Sequence, residues 1–449
     1  MIGLPPAPRY LLEFSKRGAA RKLGPWMCLA LVMGNMIGSG VFLLPAALAP
    51  FGWNSVPGWL FTIAGVLAIA GVLARLARAL PQADGPLAYT RAAFGPLPAF
   101  LIGYSYWIAV WVGNAAVAVA GASYLGLFLP WRQSSATSTA LAVGLIWATT
   151  LVNLRGARAA GNAQMVTTLI KLVPLLVVVA LVFGVSVRSG GAALAHLPAG
   201  GLSLGAIGAA AALSLWAFTG FETASVASAE VENAVITVPR ATYIGTGLTG
   251  ALYLIVCSGI VLLLPAAVTA GSDAPFAAFV ARYWGHGPSL AVALFAAVSA
   301  VGALNGMTLV QGAVPLSLAR SGHFPRWFGV TNRMGAPVRA LVGSSMLTTA
   351  LVLMNGQQSM GDAFAFLALL ATAVNLFLYL GVAVASLRLR VGGAIGVAAT
   401  LFSLWTLWGA GFAATGWSCV LLASGVPVFL LVRRAASLSA PMPLPVLVP

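Results

Sequence analysis

Twelve apolar runs follow one another along the chain, each close to the length of about 20 residues that a helix needs to cross a lipid bilayer. They lie near residues 26–49, 57–80, 98–129, 138–154, 163–187, 203–229, 241–266, 287–318, 338–355, 362–387, 392–411 and 414–432, separated by stretches that hold charges or turn residues. Backbone amides find no partner in hydrocarbon, so runs of this kind predict helices that satisfy their own hydrogen bonds. The expected fold class is an all-α integral membrane protein of twelve transmembrane helices. The connecting segments are too short for a large extramembrane domain.

Composition supports the pattern and charge adds a direction. Of 449 residues, 60 % are hydrophobic and 7 % charged, against about a quarter charged in soluble proteins. The net charge of +16 and the isoelectric point near 10.9 would by themselves suggest nucleic-acid binding. Position removes that reading. With a cytoplasmic N-terminus, the inner segments hold Arg9, Lys16, Arg17, Arg21, Lys22, Arg75, Arg78, Arg91, Arg155, Arg158, Arg240, Arg320, Arg326, Arg333, Arg339, Arg388, Arg390, Arg433 and Arg434. The outer segments hold only Arg132, Arg188 and Arg282, and Lys171 lies within a span. Nineteen against three is the bias that orients membrane proteins. Both termini are therefore expected inside a cytoplasmic (inner) membrane, with the lipid bilayer as a partner and no nucleic acid. The first apolar run lacks a convincing cleavage site and reads as a retained span. Cys28, Cys257 and Cys419 lie in apolar stretches without paired spacing and read as small core hydrophobes, and His196, His286 and His323 are scattered through loops. No metal and no cofactor are expected.

Two spans carry interruptions. Span one contains Gly34-Asn35-Met36-Ile37-Gly38-Ser39-Gly40-Val41-Phe42, and span six contains Trp216-Ala217-Phe218-Thr219-Gly220-Phe221-Glu222-Thr223-Ala224. A lone glycine in a membrane helix usually serves close packing, but three glycines with Asn and Ser within seven residues predict a broken helix. The interruptions are five spans apart, and because five is odd the second five-helix unit enters the membrane from the opposite side. This is the arrangement of an inverted repeat with a site at the midplane. The expected division is an N-terminal tail at 1–24, a first repeat at 25–187, a second, inverted repeat at 203–388, two added helices at 391–434 and a C-terminal tail at 435–449. A broken helix frees amides at the start of one half and carbonyls at the end of the other, which suit a carboxylate and an ammonium respectively. A zwitterionic amino acid fits such a pair, with Gly38, Ser39 and Gly40 facing its carboxylate and the backbone from Trp216 to Thr219 facing its amino group.

The runs GNMIGSGVFLLPAALA, PQADGPLAYTRAAFG, YWIAVWVGN and LWAFTGFETAS resemble the amino acid, polyamine and organocation transporter superfamily, and most closely its bacterial arginine/agmatine antiporter branch. The resemblance covers about Gly24 to span ten. It implies the five-plus-five fold of the leucine-transporter type and alternating-access transport or exchange of an amino acid or related amine, and a homodimer is among the assemblies it suggests. Carried over by position, it implies substrate contacts from Ile37, Ser39 and Gly40, from Tyr106, Ala109, Val110 and Asn114, and from Trp216 and Thr219. Trp216 becomes a lid across the substrate, and Tyr106, Glu222 and Tyr379 a gate on the inner side. Two positions depart from the arginine exchangers: the aromatic that covers the guanidinium is Met307 here, and a serine of span ten is Ala371. A cation over an aromatic face gains about 0.5–2 kcal/mol, which a thioether does not replace, so strict arginine specificity is not expected.

Only Glu222 and Lys171 are ionisable well inside spans, and charges there are functional candidates. Lys171 is about nine residues, roughly 14 Å of helix, past the expected start of its span. The resemblance implies that a lysine here serves proton coupling or stands in for a sodium ion beside the first broken helix; a salt bridge to Glu222 is the alternative. Glu222 reads as a gate or substrate-linked carboxylate, or else as a cap on exposed amides. The amphipathic stretch Pro81–Gly95, with Asp84, Tyr89 and Arg91, resembles a cytoplasmic plug, and the loop Glu230–Arg240 carries opposite charges that could lock it. The leading expectation is a secondary transporter that exchanges or proton-couples amino acids, with a proton-coupled neutral amino acid permease or exporter as the alternative. A membrane enzyme is disfavoured, because Glu13, Asp84, Glu222, Glu230, Glu232, Asp273 and Asp362 do not cluster as a metal or acid–base site would require.

Overall fold

The computed structural model describes residues 24–38, 40–80, 85–129, 134–156, 170–195, 201–222 and 231–438. Among these residues the chain is all-helical, and eight helical stretches are long and apolar enough to cross a membrane. Its helices are α1 (Pro25–Met36), α2 (Gly40–Leu48), α3 (Ser55–Ala79), α4 (Pro86–Phe94), α5 (Pro96–Gly126), α6 (Ser135–Leu154), α7 (Leu172–Ser189), α8 (Leu204–Trp216), α9 (Ala234–Leu263), α10 (Ala266–Ala270), α11 (Pro275–Tyr283), α12 (His286–Arg320), α13 (Val338–Met354), α14 (Met360–Arg388), α15 (Gly393–Gly409), α16 (Gly411–Ala423) and α17 (Gly425–Leu438). The protein is a multi-pass membrane protein.

Local sequence explains where the helices start and stop. Gly95, at φ 89°, ends α4 and turns the chain sharply into α5, whose first residue is Pro96. A positive φ of this kind costs glycine little, and proline at the first helical position loses no hydrogen bond. Ser134 caps α6 by accepting from the Thr137 amide, and Ser359 caps α14 by accepting from the Asp362 amide. Span seven begins earlier than its apolar run: α9 starts at Ala234 and passes through Pro239 and Arg240, a segment expected to be loop. The loop after it is likewise more ordered than expected, holding α10 and α11. Pro275 opens α11, and Phe276, Phe279 and Val280 line one buried face at helical spacing.

Burial sorts the helices by depth. The apolar window of α5 is 94 % buried within the protein and that of α14 72 %, whereas α7 and the stretch Gly411–Arg434 are each only 17 % buried. α5 packs on α12 and α14 at the centre, while α7 and the last two helices form the lipid-facing rim. Cys28 and Cys257 are core residues as expected, but Cys419 is exposed on that rim.

Candidate functional site

Span one is broken where expected. α1 ends at Met36, the Ile37 amide closes onto the Met33 carbonyl at 2.8 Å, the Gly38 amide onto the Met36 carbonyl at 2.8 Å, and helix resumes at Gly40. Ser39 lies outside the described residues. α8 ends at Trp216 and is followed by a chain of turns through Glu222. Here the Trp216 carbonyl, expected to receive a substrate ammonium, already accepts from the Thr219 amide at 3.2 Å and the Thr219 hydroxyl at 2.8 Å.

The two interruptions touch. Gly220 has φ 106°, and a Cβ there would lie 3.2 Å from the Asn35 carbonyl oxygen, so only glycine lets the second turn rest against the first. A Cβ on Gly40 would run into the Trp216 indole. The far edge of that indole faces Gly113 of α5, where a Cβ would sit 2.7 Å from Trp216 Cη2 and 3.0 Å from Met307 Cε. Trp216 is thus held in a slot between Gly40 on one side and Gly113 on the other, with Met307 beside it. Its indole nitrogen is buried and has no hydrogen-bond partner.

Around this contact lies a cavity of about 300 Å³, at the small end of the range for small-molecule sites. Of the residues expected to bind substrate or gate it, Gly38, Gly40, Tyr106, Ala109, Val110, Trp216, Thr219, Glu222, Met307 and Ala371 line it, as does Lys171. Ile37 is buried beside the lining at the end of α1. Asn114 does not line the cavity: it stands behind the wall, donating to Gln311 Oε1 of α12 at 2.5 Å. Tyr379 is also one layer back and reaches the site through Glu222.

Glu222 is 3 % exposed, and its Oε2 accepts from the Gly220 amide at 3.2 Å and the Tyr379 hydroxyl at 3.3 Å. The carboxylate therefore both caps the second break and anchors Tyr379, whose ring packs 5.4 Å from that of Phe221. Lys171 occupies a turn position between helical Ile170 and the start of α7, and borders the cavity together with Gly34, Asn35 and Met36. The charge that topology did not explain thus shares one cavity with both breaks. Glu222 forms no ion pair with it among the described residues; its acceptor oxygen is engaged by Gly220 and Tyr379.

Several contributors were not legible as site residues. Tyr253 of α9 donates to the Met36 carbonyl at 2.8 Å, so a side chain from span seven supports the end of α1. Its ring belongs to a cluster with Trp59 and Phe218, at centroid distances of 5.9 and 6.0 Å, that backs both breaks. A tyrosine in the middle of an apolar run was the available signal, since a buried hydroxyl needs a partner. Asn375 lines the cavity with a buried, unpartnered Oδ1. The stretch Pro81–Gly95 contains α4, packed on α5 and α14 with Tyr89 buried; Asp84 and Glu230 lie outside the described residues.

A family description, amino acid permease, matches residues 23–447. The chain belongs to that family. The permease is 32 % identical to a cadaverine/lysine antiporter of Escherichia coli (strain K12) over 337 residues, 75 % of each chain. It is 32 % identical to a putative arginine/ornithine antiporter of Bacillus subtilis (strain 168) over 407 residues, 83 % of this chain and 85 % of the relative. It is 28 % identical to the putrescine transporter PotE of Escherichia coli (strain K12) over 365 residues, 80 % and 82 % of the two chains. The permease is accordingly a transporter and not an enzyme.

Proposed function

We propose that this permease is a secondary transporter that exchanges amino acids and related amines across the cytoplasmic membrane by alternating access. The observation that carries the proposal is the contact of the two interrupted helices, Gly220 against Asn35 and Trp216 against Gly40, around one small cavity. Two helix breaks meeting at one cavity suit a zwitterion, and relatives named for cadaverine, lysine, arginine, ornithine and putrescine support amines as substrates. In this reading twelve spans form a five-plus-five inverted repeat, residues 25–187 and 203–388, with two helices added after it. Ser39, Gly40 and Gly38 hold the carboxylate, Trp216 covers the substrate, and Glu222 with Tyr106 and Tyr379 closes the inner side. Met307 and Ala371, apolar where the arginine exchangers have an aromatic and a serine, favour a range of side chains over arginine alone.

A second reading, proton-coupled transport of a neutral amino acid, draws on Lys171, a buried cation at the wall of the same cavity. In it the ammonium is loaded and unloaded once per cycle and steadies the first break in between. Proteoliposomes loaded with lysine, ornithine, cadaverine or putrescine should take up labelled amino acid faster than empty ones if exchange operates. If proton coupling operates, an inward proton gradient should replace the internal substrate. Absence of both responses across basic and neutral amino acids refutes the proposal. Lys171→Ala should flatten the pH dependence of uptake, and an unchanged pH profile removes Lys171 from coupling.

A further inference from the structure

The inner arginines were explained above by topology alone, and for that purpose any loop position would serve. Three of them are instead arranged on a built platform. The segment 321–337 between α12 and α13 is folded on itself and fastened from both sides. Asn332 Oδ1 accepts from the Met334 and Ala336 amides at 3.0 and 2.9 Å, and Asn332 Nδ2 donates to the Leu154 carbonyl at the end of α6. Phe324 is buried with its ring 5.5 Å from that of Trp107, and Phe328 packs on Phe324 at 4.8 Å. The segment exposes Trp327, Val330 and Met334, at 53, 48 and 65 %, together with Arg326 and Arg333, and Arg339 at the start of α13 is exposed beside Trp327. The Arg339 guanidinium lies 5.2 Å above the Trp327 ring and donates to the Trp327 carbonyl at 3.3 Å. The sequence has no acidic residue between Asp273 and Asp362, so the platform itself supplies no carboxylate to these arginines.

We propose that this face is a binding site for the headgroup of an anionic phospholipid of the inner leaflet. Large apolar side chains exposed beside arginines are wasteful in water but fit the boundary between headgroups and acyl chains, where tryptophan is enriched. Guanidinium groups match a phosphodiester in charge and in paired hydrogen bonding. A lipid satisfies both halves of the surface at once, which free phosphate and an acidic protein segment do not. The assignment rests on the inward orientation of this loop in the function proposed above, and its test does not depend on transport.

The purified permease is examined in detergent by native mass spectrometry with phosphatidylglycerol or phosphatidylcholine added, and lipid affinity is titrated. Wild type should retain phosphatidylglycerol in preference to phosphatidylcholine. Arg326→Gln with Arg333→Gln and Arg339→Gln should weaken phosphatidylglycerol roughly a hundredfold, at roughly fivefold per arginine. The control Arg390→Gln with Arg433→Gln and Arg434→Gln removes the same charge elsewhere and should change it little. Trp327→Ala, which leaves the Asn332 fastenings intact, should weaken it several-fold, and an unchanged melting temperature establishes that either variant is folded. Equal retention of the two lipids, equal losses in the two triple variants, or full displacement by inorganic phosphate would each overturn the assignment.

Discussion

Replacing Gly113 by alanine tests the slot that positions Trp216. A methyl group there would stand 2.7 Å from Trp216 Cη2 and 3.0 Å from Met307 Cε, both inside contact distance. The indole is not free to retreat, because its opposite edge already rests on Gly40. Adding a methylene-sized group to a packed interior costs about 1–3 kcal/mol. If that cost falls on the substrate-bound arrangement, affinity drops roughly 5- to 150-fold, at about 1.4 kcal/mol per factor of ten. Substrate affinity by calorimetry and melting temperature should be measured together, with the emission difference from the matching Trp216→Phe variant isolating this indole among the thirteen tryptophans. The expected result is weaker binding with altered emission. Gly113→Ala combined with Met307→Ala should recover part of the loss, since only the 3.0 Å contact is relieved, and combination with Trp216→Phe should recover the methyl's share of it. Wild-type affinity and emission in Gly113→Ala would show that Gly113 does not position Trp216.

Other expectations follow from single contacts. Tyr253→Phe removes the hydrogen bond to the Met36 carbonyl and should cost about 0.5–1.5 kcal/mol, read as a lower melting temperature and weaker substrate binding with no change in selectivity. Glu222→Gln keeps an oxygen for Gly220 and Tyr379 but removes the charge; the variant should fold normally in thermal melts yet lose uptake of cationic substrates, and retained uptake would leave the carboxylate a cap only. His323 lies outside the spans, where partial burial and then the nearby Arg91 hold its imidazole below the ordinary value. The unfolded chain therefore takes up this proton first, so the stabilising contribution is complete above about pH 6.5 and is lost as pH falls through the window below it. His323→Gln should flatten the fall of melting temperature as pH drops below about 6.5, relative to wild type.

The parts of the site that sequence revealed are those whose signal is local. Clustered glycines with Asn and Ser exposed the first break, and counting charges against topology isolated Lys171 and Glu222, which line the same cavity. What stayed hidden depends on which side chains meet across the bundle. Gly113 is one glycine in an apolar helix, and only the indole facing it gives it a role. Position implies a substrate contact for Asn114, yet Gln311, five spans further along the chain, engages it behind the cavity wall. The helices α10 and α11, of five and nine residues, are too short to carry a span signal. Apolar neighbours suggest a core position for Cys419, but in a bilayer such neighbours mark an exposed rim as readily as the interior, and Cys419 is exposed.

Substrate should occupy the cavity between the two breaks. The most direct measurement is protection of a single cysteine placed in that wall. Ala109 lines the cavity, Cys28 and Cys257 are buried and Cys419 is exposed, so Ala109→Cys in a Cys419→Ser background offers one reactive thiol at the site. A small methanethiosulfonate reagent should modify it, and an amino acid that the permease transports should slow that modification in proportion to its occupancy. Modification at the same rate with and without a transported substrate would place the substrate elsewhere.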